Sequence, residues 1–170
     1  MSRSPSTVGS GDGPGADPGV EVLMRRAEAR DLPAIVAMLA DDPLGARREN
    51  PDDPAPYREA FERITADPAQ FLVVAERMAD KEVVGTLQLT VIPGLSRRGS
   101  DRALIEAVRV HASQRGTGLG TRLVEWAIAE ARRRECAMVQ LTSDATREDA
   151  HRFYERLGFI PSHVGFKLPL

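Results

Sequence analysis

A glycine-rich turn is the stretch of this chain whose residue types and spacing most directly predict chemistry. It runs from Gln114 to Thr121 with the sequence QRGTGLGT, between a strand-like stretch and a long amphipathic one. Glycines at alternate positions, Gly116, Gly118 and Gly120, let a ligand approach the backbone. A helix that begins there directs unpaired N–H groups and its positive dipole end at the turn. The pattern therefore predicts a site for a phosphate group.

Three other interpretations of the turn can be compared on the sequence alone. A Walker loop ends in Gly-Lys-Ser or Gly-Lys-Thr, whereas Gly120 is followed by Thr121 and Arg122. A dinucleotide-binding turn requires a glycine at position 121 and follows an early strand of a βαβ series, whereas antiparallel strands are expected first here. A turn that only connects two elements needs one residue with positive φ rather than three glycines. A phosphate site of another kind is favoured.

Glu106 is a second candidate, because it lies inside the otherwise apolar stretch Leu104–Val108. Burial would raise the pKa of such a carboxyl group from about 4.3 toward the range that a general base needs. Two alternatives remain open: Glu106 points outward on the polar face of its strand, or it attracts a cationic substrate without moving a proton. His111, at the exit of the strand, is the second candidate for the base, although a histidine there is typical of a solvated turn.

The single cysteine and the three histidines predict less. Cys136 precedes an apolar run and has no evident histidine partner, so a buried thiol is favoured over a nucleophile. The spacing of His111, His151 and His163 matches no compact ligand pattern, and we expect no bound metal. One cysteine in 170 residues excludes an internal disulfide and favours a reducing compartment.

Composition limits the class of protein. The chain has 170 residues, a formal net charge of −2 and 42% hydrophobic content, which suits one domain and gives no global electrostatic reason to expect nucleic acid or an acidic membrane as a partner. No apolar run reaches the roughly 20 residues that span a bilayer, and the N-terminus has no apolar signal-peptide core. We therefore expect a cytoplasmic protein.

The apolar periodicity predicts an α/β (α+β) chain. Strands are expected over 21–26, 71–75, 83–91, 102–110, 137–142 and 164–168, and helices from about 31, over 54–66, over 118–134 and over 147–157. Residues 1–19, rich in Ser, Gly, Pro and Asp, are expected to form a flexible tail before a single domain over 20–170. The strands on either side of the helix over 118–134 are expected to be parallel.

Two motifs resemble those of the GNAT superfamily of acetyl-CoA-dependent N-acetyltransferases. Arg115–Gly120 is similar to the Q/R-x-x-G-x-G signature, and Ala150–Phe159, AHRFYERLGF, is similar to the late A-x-x-F-Y-x-x-x-G-F segment. They occur in the family's order, and the element order from residue 21 onward also fits. The resemblance implies a mixed, mostly antiparallel sheet of about six or seven strands, flanked by about four helices, with a splayed parallel strand pair.

The resemblance also implies a cofactor site for acetyl-CoA. The turn would hold the pyrophosphate of coenzyme A through Arg115, Gly116, Thr117, Gly118, Leu119, Gly120 and Thr121. The backbone of Val108, Arg109 and Val110 would pair with the pantetheine arm and the thioester. An extended arm that carries amides can satisfy backbone groups left unpaired where two strands splay apart.

Two catalytic roles follow from the same resemblance. Tyr154 would be the general acid toward the coenzyme A sulfur, because a phenol with a pKa of about 10 is protonated at neutral pH. Without the motif, Tyr154 would be interpreted as core packing beside Phe153. Glu106 would take the proton of the amine through water. Arg147 departs from the pattern, since many members have at that position an asparagine that contacts pantetheine.

The implied function is transfer of an acetyl group from acetyl-CoA to a primary amine by direct attack in a ternary complex. The segment from Asp149 to Tyr154, followed by Ser162 and His163, resembles the branch that acts on aminoalkylphosphonates. A small-molecule acceptor is favoured, and family analogy implies a possible homodimer. The alternatives are a noncatalytic acyl-CoA-binding or regulatory module and an acetyltransferase of protein N-termini or lysines.

Overall fold

The computed structural model describes residues 20–41 and 45–170. The predicted flexible tail over 1–19 lies outside the described residues. Within the described ranges there are five strands and four helices, numbered here in chain order: β1 Val22–Arg26, α1 Leu32–Ala40, α2 Ala55–Ala66, β2 Gln70–Arg77, β3 Val83–Ile92, β4 Arg102–Val110, α3 Leu119–Arg133, β5 Met138–Leu141 and α4 Glu148–Arg156. A turn over Ser96–Gly99 is left-handed at Arg97 and Arg98 and is not numbered. None of the helices in these ranges is long and apolar enough to cross a membrane.

The strands form one mixed sheet in the order β1-β2-β3-β4-β5. The first four strands pair antiparallel, and β5 pairs parallel with β4 after the crossover through α3. This arrangement confirms the predicted mixed, mostly antiparallel sheet with a parallel pair. The number of strands in the described ranges is slightly below the predicted six or seven.

The predicted strand over 164–168 is wrong. Val164, Phe166 and Leu168 are 80%, 93% and 84% exposed, and residues 159–170 have no regular secondary structure. The alternation of apolar side chains is typical of a strand, but a strand also needs the backbone of a neighbour to bond to. Within the described residues this segment pairs with no strand, so the local pattern does not become a sheet element.

The two faces of the sheet differ in composition. We call the face covered by α3 the buried face; its side chains are at most 4% exposed and comprise Phe71, Val73, Ala75, Leu87, Leu89, Ala103 and Ile105. We call the other side of β2–β5 the polar face; it carries Gln70, Gln88, Thr90, Glu106 and Gln140, with Leu72 and Leu104 among them. Because directly opposed residues share a face, the strand register itself assigns these side chains.

A buried ionic cluster fixes the start of α1 to the far edge of the sheet. Arg25 of β1 lies 2.6 Å from the Asp31 carboxylate and 2.7 Å from the Glu76 carboxylate of β2. Burial alone would raise the pKa of Asp31, but hydrogen bonds from Arg25 and from the Glu28 N–H outweigh it and lower that pKa. The cluster therefore holds a charged carboxylate in the interior at neutral pH, and it positions α1 beside β2 and β3.

A β-bulge interrupts β4 immediately after the candidate residue Glu106. The β3–β4 register changes between the pairs Thr86–Arg109 and Gln88–Glu106, which leaves one extra residue in β4. Ala107 lies in this interval with a φ of 51°, in the left-handed region that costs a non-glycine residue roughly 1–2 kcal/mol. The bulge therefore places local backbone strain immediately after Glu106.

Candidate active site

A gap opens between β4 and β5 on the carboxyl side of both strands. Their ladder runs from the pair Arg102–Met138 to the pair Ile105–Leu141, where β5 ends. β4 continues to Val110, still paired with β3 on its other edge. Beyond Ile105, the backbone groups of β4 that face β5 therefore have no strand partner in the described part of the chain. This is the parallel pair that the family resemblance implied, and an extended ligand with amide groups can bond to such an edge.

The glycine turn closes one end of this gap. Gly116 and Gly118 have φ values of 80° and 83°, and Gly118 is the N-cap of α3. A side chain at either position would be strained by the left-handed backbone rather than by any neighbour, since an added Cβ meets nothing within 4 Å. The first hydrogen bond into α3 runs from the Arg122 N–H to the Gly118 carbonyl at 3.2 Å. The earlier N–H groups of the helix are available for an anion.

Gly120 borders the gap for a different reason. An added Cβ would lie 3.6 Å from the Phe153 ring of α4 and 3.8 Å from Val110 of β4. Gly120 thus lies at the junction of β4, α3 and α4, where a Cβ would make ordinary contacts with both neighbours and a larger side chain would have to displace them or enter the gap. The neighbouring Leu119 is 2% exposed and packs in the core, so only its backbone can serve a ligand.

The predicted cofactor residues of β4 lie along the gap. Val108 and Val110 pack their side chains against the core under α3, while the register places Arg109 on the same side as Thr86. The Arg109 Nη1 donates to the Val108 carbonyl at 2.9 Å. The backbone of Val108 is therefore already engaged on its oxygen, which retains a second lone pair for a ligand.

Two side chains of the turn have partners within the protein. The Arg115 guanidinium donates to the Asp41 carboxylate at 2.6 Å, and both side chains are 57% exposed. The Thr117 hydroxyl donates to the Gln114 carbonyl at 2.8 Å. Arg115 would have to exchange Asp41 for a phosphate, which an exposed ion pair of small net strength permits. The Thr117 hydroxyl stabilises the turn itself.

Tyr154 lies on α4 in an aromatic cluster. Its ring meets Phe153 edge-to-face with centroids 5.0 Å apart and Phe159 with centroids 5.9 Å apart. Burial raises the pKa of the Tyr154 phenol, and the positive charges of Arg147 and Arg109 oppose part of that rise. The hydroxyl is therefore protonated at neutral pH, as a proton donor must be. Packing and a possible acid role coincide in one side chain.

Glu106 lies on the polar face, directly opposite Gln88 in β3 and immediately before the Ala107 bulge. The side chain is exposed, so it lacks the burial that the apolar sequence around it suggested. What favours Glu106 is its place, at the point where β4 loses β5 as a neighbour. A carboxylate there can attract an ammonium group or accept its proton.

The other titratable candidates are placed elsewhere. The His111 ring accepts from the Ser113 N–H at 3.3 Å and contacts the Ser113 hydroxyl at 2.8 Å, as expected of a turn residue. His151 and His163 each make local contacts, and the described residues contain no group of three or more His, Cys, Asp or Glu that could hold a metal.

Burial, together with the Asp101 charge, raises the pKa of the half-buried Cys136 thiol. A thiol of this kind is a poor nucleophile.

Ser143 was not predicted from the sequence as a site residue. Its Oγ is buried and has no hydrogen-bond partner among the described residues, and it lies two positions past the end of β5. Continuing the parallel register places Ser143 level with the bulge of β4, across the gap. An orphaned hydroxyl at this position and the open edge of β4 together fit an amide-bearing pantetheine arm. The sequence signal that could have indicated this residue is a serine directly after the strand expected over 137–142.

Comparison with known proteins agrees with this geometry. The acetyltransferase (GNAT) family model matches residues 32–159. An aminoalkylphosphonate N-acetyltransferase of Salmonella typhimurium is 30% identical over 143 residues, which cover 84% of this chain and 88% of that protein.

Two solved structures share the fold. A transcriptional regulator from Bacillus halodurans C-125 is 47% identical with a TM-score of 0.84, covering 88% of this chain and all of that one. A putative acetyltransferase from Agrobacterium tumefaciens is 26% identical with a TM-score of 0.77, covering 87% and 99% of the two chains. With the family motifs, the parallel pair and the glycine-rich turn in place, the chain belongs to the GNAT acetyltransferase family, whose cosubstrate is acetyl-CoA.

Proposed function

We propose that this protein transfers the acetyl group of acetyl-CoA to a primary amine of a small molecule by direct attack in a ternary complex. One observation carries the proposal: a strand edge open beyond Ile105 runs between Glu106 and the glycine-rich start of α3, whose first N–H groups can bind an anion. A pyrophosphate at the turn and a pantetheine arm along β4 would bring the thioester to the bulge. The acceptor would approach from the polar face.

The residues divide the work of cosubstrate binding. The first N–H groups of α3 would bond to the pyrophosphate, and Arg115 would add positive charge after leaving Asp41. The backbone of Val108 and Val110 would pair with the amides of the arm, with the Ser143 hydroxyl on the opposite side of the gap. These contacts hold the thioester in place while the acceptor nitrogen approaches.

The proposed chemistry needs two proton transfers. The amine must lose a proton before or during attack, and Glu106 would accept it through water. As the new C–N bond forms and the C–S bond breaks, the thiolate needs a proton, and the Tyr154 phenol would supply it. Glu106 then releases its proton to solvent and Tyr154 regains one. No acetyl-enzyme is formed, consistent with the raised pKa of the Cys136 thiol.

Two observations support a small-molecule acceptor. The Salmonella typhimurium relative acts on aminoalkylphosphonates, which are small amines. In this chain Arg147 takes the place of the usual asparagine at the N-cap of α4, close enough to Tyr154 for its charge to act on the phenol, so it would suit an acceptor that carries an acidic group such as a phosphonate. Acetylation of a protein N-terminus or lysine is the alternative within the same chemistry.

A regulatory role is the second candidate, because the Bacillus halodurans regulator is 47% identical. One experiment separates the three outcomes. The purified protein is incubated with acetyl-CoA and a panel of amines that includes 2-aminoethylphosphonate, amino sugars, polyamines and peptides, and released thiol is measured. Acetylation of small amines supports the proposal, and acetylation of peptides alone would replace it with protein acetylation. Thermal stabilisation by coenzyme A without thiol release from any amine would favour the regulatory candidate.

A further inference from the structure

The polar face contains an ordered group of side chains that the proposed chemistry does not use. The Gln70 Oε1 accepts from the Gln88 Nε2 at 3.0 Å and from the Thr90 hydroxyl at 2.8 Å. Three strand residues that could have been apolar are polar instead and are fixed by one another. The carboxamide nitrogen of Gln70 has no hydrogen-bond acceptor among the residues that the structure describes.

This group lies beside Glu106. Gln88 is directly opposite Glu106 on the neighbouring strand, and the Gln70–Thr90 pair is the next one along the same face. Two residues along a strand span about 7 Å. Gln70 itself is two strands from Glu106, but its carboxamide reaches over β3 to bond to Gln88 and Thr90. It therefore lies about 5 Å across the sheet and about 3–7 Å along it from Glu106, about 7 Å in all from the residue proposed to receive the amine.

The face stays accessible at this point. The half-buried Leu72, on the same face, belongs to the apolar cluster around α1, and Phe61 of α2 packs in that cluster. Gln70, Gln88 and Thr90 are only half-buried, and Glu106 is exposed. A ligand over Glu106 can thus extend along the sheet toward Gln70.

We propose that this polar face selects the acceptor amine: the N–H donors of Gln70, oriented by Gln88 and Thr90, bind a hydrogen-bond-accepting oxygen that the amine carries about 7 Å from its nitrogen. The oxygen belongs either to a hydroxyl or to an anionic group such as a phosphonate. An acceptor without such an oxygen leaves the half-buried amide unpaired, which disfavours it. The inference depends on the proposed acetyl transfer, whose own test it extends.

A panel of matched amines tests the inference. 5-Aminopentan-1-ol places a neutral oxygen at the required distance, 4-aminobutylphosphonate places an anionic one, hexylamine replaces the oxygen by a methyl group, and 1,5-diaminopentane replaces it by a donor. We expect kcat/KM for at least one oxygen-bearing amine to exceed that for hexylamine about fivefold or more, the worth of one neutral hydrogen bond. The better of the two identifies the oxygen as neutral or anionic.

Two variants test whether Gln70 and Thr90 cause the preference for an oxygen-bearing amine. Thr90→Val removes one of the bonds that orient Gln70 with little change in shape, and Gln70→Leu removes the donors. In both, the preference for the oxygen-bearing amine over hexylamine should fall about fivefold, mainly through KM. Thr65→Val, the same substitution on the exposed surface of α2, is the matched control and should leave the preference unchanged.

The outcomes keep the two proposals apart. Turnover of hexylamine and both oxygen-bearing amines at equal kcat/KM, or a preference for 1,5-diaminopentane, overturns the selection by Gln70 while acetyl transfer stands. Equal losses with all amines in Thr90→Val would assign Thr90 a purely structural role and would also overturn it. If no amine releases thiol although coenzyme A stabilises the protein, the proposed function itself fails.

Discussion

The two faces of the central sheet use alternate residues of the same strands for different purposes. On the buried face, Leu87 and Leu89 are fully buried beneath α3. On the polar face, the intervening Gln88 and Thr90 are half-buried and bonded to Gln70. Because successive side chains of a strand point to opposite faces, one segment of β3 supports the core with one set and a ligand surface with the other. Stability and specificity can therefore be changed separately in this protein.

The proposed chemistry lies where the two faces meet. Glu106 extends from the polar face, whereas Tyr154 packs against the apolar cluster of the buried face. A base that must meet solvent and an amine suits the first environment. An acid that must hold its proton suits the second, since burial raises the pKa of the phenol. Substitutions on the two faces test this division.

Leu87→Ala and Gln88→Ala form a neighbouring pair that tests the comparison directly. Leu87→Ala opens a cavity in the buried face and should lower the free energy of unfolding by about 2–5 kcal/mol. Gln88→Ala loses one half-exposed hydrogen bond and should cost less than about 1.5 kcal/mol. Urea titration followed by circular dichroism measures both. Similar losses in the two variants would contradict the division of the faces.

Tyr154→Phe preserves the aromatic packing with Phe153 and Phe159 but removes the proposed acid. We expect kcat to fall about 100-fold, the lower range for loss of a general acid, with coenzyme A affinity and thermal stability nearly unchanged. Stopped-assay kinetics and calorimetric binding of coenzyme A separate the two effects. Unchanged turnover would return Tyr154 to a packing role alone.

Glu106→Gln tests the polar side of the site. At neutral pH we expect kcat/KM to fall about 10- to 100-fold, because the amine is mostly protonated and loses its base. The deficit should shrink as pH rises toward the amine pKa, where free amine needs no base. A pH profile of kcat/KM in both proteins measures this. A deficit that stays constant with pH would assign Glu106 to substrate binding instead.

Glu130→Gln tests the edge of the buried face. Hydrogen bonds from Arg133, and then from Arg134, lower the pKa of Glu130 to about 2, with burial acting in the opposite direction. Because the pKa of Glu130 is lower in the folded protein, its carboxylate stabilises the fold at pH values above its ordinary pKa of 4.5. That stabilisation is lost as the pH falls from 4.5 toward 2. The variant should be about 1 kcal/mol less stable at pH 7. This loss is modest because Arg133 is exposed and solvent screens its interaction with Glu130. The difference should vanish near pH 2 in thermal unfolding scans.

A similar effect of Glu130→Gln at every pH would contradict the linkage. The expected location of the loss is also specific. Arg134 bonds to Glu130 and stacks over Phe71 of the buried face at 4.0 Å from the ring centroid. Loss of the Glu130 carboxylate should therefore weaken the packing of Arg134 over Phe71 at the edge of the buried face, with no effect on the polar face.

Much of the fold was predictable because its signals are local. The apolar periods predicted five of the strands and all four helices of the described residues within a few positions, and the glycines predicted the start of α3. The strand predicted over 164–168 was wrong because alternating apolar residues indicate which face a strand would bury but not which strand it would pair with. Pairing depends on a neighbour that no local pattern contains.

The candidate site was predictable where a motif carried it. The turn with Gly120 was predicted as a phosphate site from its glycine spacing, and the family resemblance added coenzyme A and the role of Tyr154; the structure brings the turn to the gap in β4. The group of Gln70, Gln88 and Thr90 was missed, because its members are separated along the chain and meet only through strand register. The exposure of Glu106 on the polar face was one of the alternatives that the sequence left open, because the residues around it do not show which face of the sheet is covered.

The bulge at Ala107 also sets which side of the sheet each later residue of β4 occupies. Ile105 and Val108 both serve the buried face although three positions separate them, an interval that would place them on opposite faces of a regular strand. A regular strand that kept all of these residues would send Arg109 into the core and Val108 to the polar face; the bulge prevents this by accommodating Ala107 as an extra residue. Deleting Ala107 would therefore give a regular strand in which Val108 and Arg109 keep their faces, and exchanging it for glycine would keep the bulge and relieve the left-handed backbone. At this position the backbone conformation matters more than the side chain.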